Sequence, residues 1–138
     1  MATIANSAGA RPPIHLLAAE SDLVAGLALR AEQQHPLVAA MLLEEIERAE
    51  LHEPDTMPAG HVRLDSRVTF IDEKTHQLRD VKLVLPAEAN IAEGRISILT
   101  PMGAALYGLA AGHMIEWPDL HGRFRPIRIV RVAPPGGD

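Results

Sequence analysis

Seven histidines, a run of glutamates, four arginines near the C-terminus and one strand-borne serine are the groups in this chain with side chains suited to chemistry. The histidines stand at positions 15, 35, 52, 61, 76, 113 and 121. None is four residues from another, so the helical His-x₃-His pair that opens many zinc sites is missing. Most fall at turns or element ends. They read as surface or capping residues, with no metal ligand set among them. Cysteine is absent, which removes disulfides, thiol nucleophiles and thiolate metal sites together. Ser97 lies inside a strand with no glycine elbow around it, so it is no serine nucleophile. Glu44, Glu45, Glu47, Glu50 and Glu53 make one stretch acidic. Glu44 precedes Arg48 by four residues, the favourable order for a helical ion pair, and the stretch reads as a solvated face. Arg123, Arg125, Arg128 and Arg131 read first as an edge strand guarded by charge against sheet-to-sheet pairing, and second as a basic strip for a protein partner. Gly136-Gly137 belongs to the tail and forms no phosphate loop. No catalytic residue and no cofactor are therefore expected.

The elements that would position these groups fall into two parts. From Glu20 to Leu51 apolar residues recur at helical spacing: Leu23, Leu27 and Ala31 with Val24 and Ala28, then Leu37, Met41, Leu42, Ile46 and Ala49. Gln33-Gln34-His35-Pro36 separates two helices, with Pro36 suited to the first position of the second. The short break predicts an antiparallel hairpin over 14–52, about 22 Å long at 1.5 Å per residue. Its tip carries Glu32, Gln33, Gln34 and His35. Residues 53–62 read as a linker.

Beyond the linker the period changes from 3.6 to 2. Val68 and Phe70 alternate with polar neighbours, residues 72–77 close a hairpin, and Val81, Leu83 and Leu85 alternate again. Residues 95–99, 114–117 and 124–132 complete five strands, with a turn at 119–122. Pro126 suggests an edge position or a bulge in the last strand. Between the third and fourth strands, Thr100 is placed as an N-cap, Pro101 as the first helical residue and Gly108 as the left-handed stop. The resulting helix is about two turns long and needs a sheet to lie on, which Ala104, Ala105 and Leu106 allow it to approach. The fold class is α+β: a helical hairpin, then one short helix against a five-stranded, largely antiparallel, curved sheet over 63–133. Residues 1–13 read as a disordered lead and 134–138 as a disordered tail.

At 138 residues the chain is long enough for one packed domain with an appendage. Its net charge of −5 disfavours a surface built to neutralise phosphates, so no sequence-specific nucleic acid is expected as a direct partner. No apolar run approaches the ~20 residues of a membrane span, and the first residues lack the apolar core of a secretory signal. A monomer in the reducing cytoplasm is the expectation.

On this architecture a family resemblance rests. The run LVLPAEANIAEGRISILTPMGAALYGLAAGHMIEW (83–117) resembles the C-terminal FKBP-like domain of the Gre-type bacterial transcription factors. LLEEIERAE (42–50), DSRV (65–68) and the PxGAALxGL helix (101–109) bring it nearer to the regulator of nucleoside diphosphate kinase branch of that family. Together these features span roughly residues 15–132. The resemblance implies binding to RNA polymerase at the rim of its secondary channel, in competition with other Gre-type factors. It implies a gripping surface at Glu88, Ala89 and Asn90, with Thr100, Pro101 and Met102. Asn90 stands where Gre factors usually carry aspartate and Thr100 where they usually carry serine; the second exchange keeps the hydroxyl cap.

Three other readings are weighed against this one. Gre-type transcript cleavage needs acidic side chains at the hairpin tip to complete a catalytic Mg²⁺ site. Here the tip offers Glu32 without an acidic neighbour, and the helices are about half the length needed to reach an active centre. A prolyl isomerase would need an aromatic-lined pocket, yet Phe70, Tyr107, Trp117 and Phe124 are the only aromatics, and Phe70 and Trp117 are expected in the core. An adaptor for another protein would use the apolar hairpin face. The location of exposed apolar surface, at the hairpin tip or around Asn90 and Thr100, separates adaptor from polymerase binder.

Overall fold

The computed structural model of the chain describes residues 12–118 and 123–136. The expected lead up to residue 11, the turn at 119–122 and the last two tail residues lie outside them.

The element order is β1 (His15–Leu17), α1 (Ala18–Arg30), α2 (Pro36–Arg48), β2 (Glu50–His52), β3 (Arg67–Asp72), β4 (Gln77–Val84), β5 (Arg95–Ser97), α3 (Pro101–Leu106), β6 (Met114–Pro118) and β7 (Phe124–Ala133). Short 3₁₀ turns at Pro86–Glu88 and Ile91–Glu93 lie between β4 and β5. The helical pattern expected to run to Leu51 stops at Arg48. Ala49 turns extended, and the Glu50 N–H donates to the Ile14 carbonyl at 3.0 Å. A strand partner has outcompeted the next helical turn. β1 and β2 pair in parallel, His15 opposite Glu50 and Leu17 opposite His52, and so clasp the two ends of the hairpin.

The buried face of α1 is rotated from the one expected. Ser21, Val24, Ala28 and Ala31 are buried, whereas Leu23 is about half exposed. Apolar residues nearly encircle this helix, so its partners choose the face. Ser21 takes an inner position by donating its hydroxyl to the Ala18 carbonyl at 2.8 Å. In α2, Val38, Ala39 and Leu42 are buried, Met41 and Ile46 are partly buried, and Leu37 is exposed.

The five-stranded sheet has the order β5-β4-β3-β7-β6. Three of its pairings are antiparallel; β4 and β5 are parallel. Val68 and Phe70 of β3, Val81 and Leu83 of β4, and Ile127 and Ile129 of β7 face the core at period 2. They meet Ala104, Leu106 and Tyr107 of the α3 region, and on the far side Val24, Ala28, Val38 and Leu42 of the hairpin. α3 is thus packed between hairpin and sheet, and one core serves both parts.

The expected edge position of the arginine-rich strand is corrected: β7 lies between β3 and β6. Two of its arginines have carboxylate partners. Arg128 pairs with Glu73 at 3.0 Å, and Arg125 donates to Asp72 Oδ2. Pro126 sits one residue past the end of the β3 pairing, where no ladder N–H is required on that side, and its carbonyl accepts from Glu73 N–H. The bulge in this strand falls farther along, where the register shifts between Thr69 and Phe70.

Asp72 also accepts from the N–H groups of Lys74 and Thr75, which shapes the β3–β4 turn. Burial pushes its carboxyl up, but the Arg125 hydrogen bond, those two N–H bonds and the Arg125 charge outweigh burial and hold it below the usual range. A lowered folded-state pKa stabilises above the unfolded value near 3.9 and is lost as pH falls through the folded value. Asp72→Asn is therefore expected to cost about 1 kcal/mol at neutral pH and to flatten the acid limb below about pH 4. Urea titrations across that range check both effects.

Candidate functional site

β5 is an edge strand, and the two segments expected to grip a partner flank it. The parallel return from Val84 to Arg95 forces residues 85–94 to double back beside the sheet, because a parallel pair cannot be closed by a tight turn. Glu88, Ala89 and Asn90 lie exposed on that return. Arg95 ties the loop down: its Nε donates to the Glu88 carbonyl at 2.9 Å and its Nη1 pairs with Glu93 at 2.6 Å. Asn90 and Arg95 exchange backbone hydrogen bonds, both 2.9 Å, while the Asn90 side chain caps nothing. Beside it Ile91 is 80% exposed. An open groove of about 590 Å³, lined by Asp65, Lys82, Val84, Glu88, Arg95, Pro135 and Gly136, reaches from this loop across β4 to the segment after β7.

Thr100, Pro101 and Met102 follow the other end of β5 and are half-buried. The Thr100 hydroxyl donates to the Ser97 carbonyl at 2.7 Å and accepts from Gly103 N–H at 3.0 Å, so the expected cap is present. Gly108, at φ +87°, turns the chain after α3 as expected. A three-residue strand spans about 10 Å, so the two segments form one strip along the edge rather than a pocket. Gly103 fixes their spacing. A Cβ there would stand 2.2 Å from the Ser97 carbonyl oxygen.

Glu32, Gln33, Gln34 and His35 are exposed at the hairpin tip. Each helix has 13 residues, giving a hairpin of about 20 Å. Exposed apolar residues occur in both places that were to discriminate the readings: Ile91 beside Asn90, and Leu29 and Leu37 flanking the tip.

At the root of the hairpin lies an internal network. Glu20 Oε1 accepts from Leu64 N–H at 3.1 Å and from the Tyr107 hydroxyl at 3.3 Å, and Glu20 Oε2 lies 3.7 Å from Arg63 Nε. Burial, with the Glu20 charge beside it, pushes the Tyr107 phenol far up, so it stays a donor.

Chain spacing gave no sign of a histidine cluster, yet four of the seven converge beside this root. His15 Nδ1 and His52 Nε2 are 2.9 Å apart. The His61 ring stands edge-on to His15 with centroids 4.6 Å apart, and His113 lies 6.4 Å beyond His61. His113 is held below its usual pKa by burial first, then by His61 and His15. The period-2 face of β1 and β2 is the signal that could have found part of the cluster, because it sets His15, Glu50 and His52 on one side.

Comparison with known proteins places these features in a family. Residues 57–134, more than half the chain, match the family described as "Transcription elongation factor, GreA/GreB, C-term". The regulator of nucleoside diphosphate kinase of Escherichia coli (strain K12) is 36% identical over 80 residues, covering 58% of this chain and 59% of that protein. Transcription elongation factor GreA of Sinorhizobium medicae is 35% identical over 71 residues, covering 51% and 45%. The matches thus span less than two thirds of the length of these relatives. Among solved structures, a prokaryotic transcription elongation factor GreA/GreB from Nitrosomonas europaea superposes with a TM-score of 0.71 at 32% identity, covering 88% of this chain and 99% of that one. With that family model matched over more than half of its length, this chain belongs to the GreA/GreB C-terminal domain family.

Proposed function

We propose that this protein is a non-catalytic regulator that docks on RNA polymerase at the secondary-channel rim and competes there with Gre-type factors. The observation that carries the reading is a GreA/GreB-type domain joined to a hairpin of about 20 Å whose tip bears one carboxylate, Glu32. The domain supports docking. The hairpin has neither the reach nor the paired acids for metal-assisted cleavage of a transcript. The strip of Glu88, Ala89, Asn90, Thr100, Pro101 and Met102 is the docking surface in this reading, with Ile91 as its apolar anchor. The protein acts in the cytoplasm, as a monomer and without cofactor.

The test is binding of the purified chain to core polymerase, with and without a competing Gre factor, alongside Ile91→Glu and a Leu78→Glu control on the exposed β4 surface. Saturable, Gre-displaceable binding weakened about tenfold by Ile91→Glu alone is expected, the loss of one buried anchor. No binding at micromolar concentration would overturn the reading. Thr100→Val should also weaken binding while lowering stability by about 1 kcal/mol through loss of the cap, and Thr100→Ser should restore both.

A second reading, an adaptor for another protein, is favoured by Leu29 and Leu37, both 56% exposed beside the tip. A Leu29→Gln/Leu37→Gln variant that binds polymerase as tightly as the parent would leave the tip out of the contact.

A further inference from the structure

Among the described residues, one group of side chains has the composition and closeness of a metal site: His15 of β1 with Glu50 and His52 of β2. Their ligand atoms all lie within 4.8 Å of one another. His15 Nδ1 to His52 Nε2 is 2.9 Å, and His52 Nε2 to Glu50 Oε2 is 3.3 Å. In a tetrahedral zinc site with bonds of about 2.0–2.1 Å, ligand atoms are about 3.3 Å apart. Of the three edges, one already has that length, a second needs to open by only about 0.4 Å, and the third, His15 to Glu50, lies within 4.8 Å. The parallel register of β1 and β2 sets all three side chains on one face, while Leu16 between them points into the core.

The surroundings suit an ion as well. His61 Nδ1 donates to the Gly108 carbonyl at 2.9 Å, which fixes that ring as a neighbour edge-on to His15. Ala110 N–H donates to His113 Nδ1 at 3.0 Å, so His113 is engaged elsewhere. His52 is largely buried, and the Glu50 side chain is 68% exposed, which leaves an approach from solvent. Two imidazoles and a carboxylate without thiolates suit a first-row divalent transition ion and disfavour Mg²⁺ or Ca²⁺, which take oxygen ligands.

We propose that His15, Glu50 and His52 form a three-ligand site for Zn²⁺ or a like divalent ion, which staples β1 to β2 at the root of the helical hairpin. Three protein ligands leave a fourth position for water, so the ion exchanges with the medium instead of being locked in. Bound, it braces both ends of the hairpin against each other. The polymerase reading is independent of this site.

The experiment uses the full, untagged chain, stripped with a chelator and titrated with Zn²⁺ by calorimetry, and with Co²⁺ by visible absorption. One ion per chain is expected, with the intense visible bands of four-coordinate Co²⁺. Melting should rise by about 5–10 °C at a hundredfold excess over Kd. His15→Gln and His52→Gln should abolish binding. Glu50→Gln, at an exposed position that leaves folding intact, should weaken it at least tenfold. His76→Gln, on the β3–β4 turn, should leave it unchanged. No saturable binding by the parent would overturn the proposal, as would binding that survives in His15→Gln/His52→Gln. In either case the contact would be only a hydrogen bond between the two imidazole rings.

Discussion

Gly103→Ala is expected to destabilise the protein by about 2–3 kcal/mol, the reverse of what helix propensity alone predicts. Alanine is favoured over glycine inside a helix by about 1 kcal/mol. Here the added methyl would lie 2.2 Å from the Ser97 carbonyl oxygen, 3.0 Å from its carbon and 3.1 Å from the Ile98 Cα. All three are backbone atoms, so no rotamer change relieves the overlap. α3 must lift from the β5 segment, and it carries Thr100, Pro101 and Met102 with it. The Thr100 hydroxyl, held between Ser97 and Gly103, then loses one of its two bonds. Calorimetry should show a melting temperature about 10 °C lower, and in the docking proposed above the affinity should fall beyond what the unfolded fraction explains. An unchanged or raised melting temperature would mean that the close approach of helix and strand is not as tight as described.

Glu20→Ala is the second large effect, about 3 kcal/mol. The carboxylate is the acceptor for two donors from distant elements, Leu64 N–H and the Tyr107 hydroxyl, with Tyr107 itself buried. Truncation leaves both without a partner inside the protein, and each such group costs about 1–3 kcal/mol. The Arg63 pairing is weaker, since its Nε, buried and without a hydrogen-bond partner, stands 3.7 Å from the carboxylate, beyond hydrogen-bond reach. Glu20→Gln keeps an acceptor in place and should cost only about 1 kcal/mol. In a double-mutant cycle with Tyr107→Phe, chemical denaturation should return a coupling of about 1 kcal/mol or more. Additive costs would show that the hydroxyl and the carboxylate do not act on each other.

What could be read from the residues, and what could not, divides along the range of the interactions concerned. The α3 cap was legible because Thr100, Pro101 and Gly108 act within one turn of the chain. The strands with alternating Val68 and Phe70, or Val81 and Leu83, were legible because one buried face suffices to set the period. The β2 strand was hidden behind a helical pattern because its partner, β1, lies 35 residues earlier at the His15–Glu50 register. The position of β7 was misjudged for a related reason: four arginines look like edge protection until Asp72 and Glu73, from the other end of the sheet segment, are seen to meet two of them. Of the candidate site, the loop, the helix start and the short strand between them were named, but not that the strand pairs in parallel with β4, because that pairing joins segments across an intervening loop. The histidine group was missed altogether, since His15 and His52 meet across 37 residues.

The single core shared by hairpin and sheet has a bearing on how such proteins diversify. α3 touches the sheet with one side and α2 with the other, so the outer side of α3 belongs to the hairpin as much as to its own domain. A hairpin borrowed from another family member would arrive with a mismatched seat unless Leu106 and Tyr107 changed with it. Parts that look separable along the sequence are here joined through one packed seat.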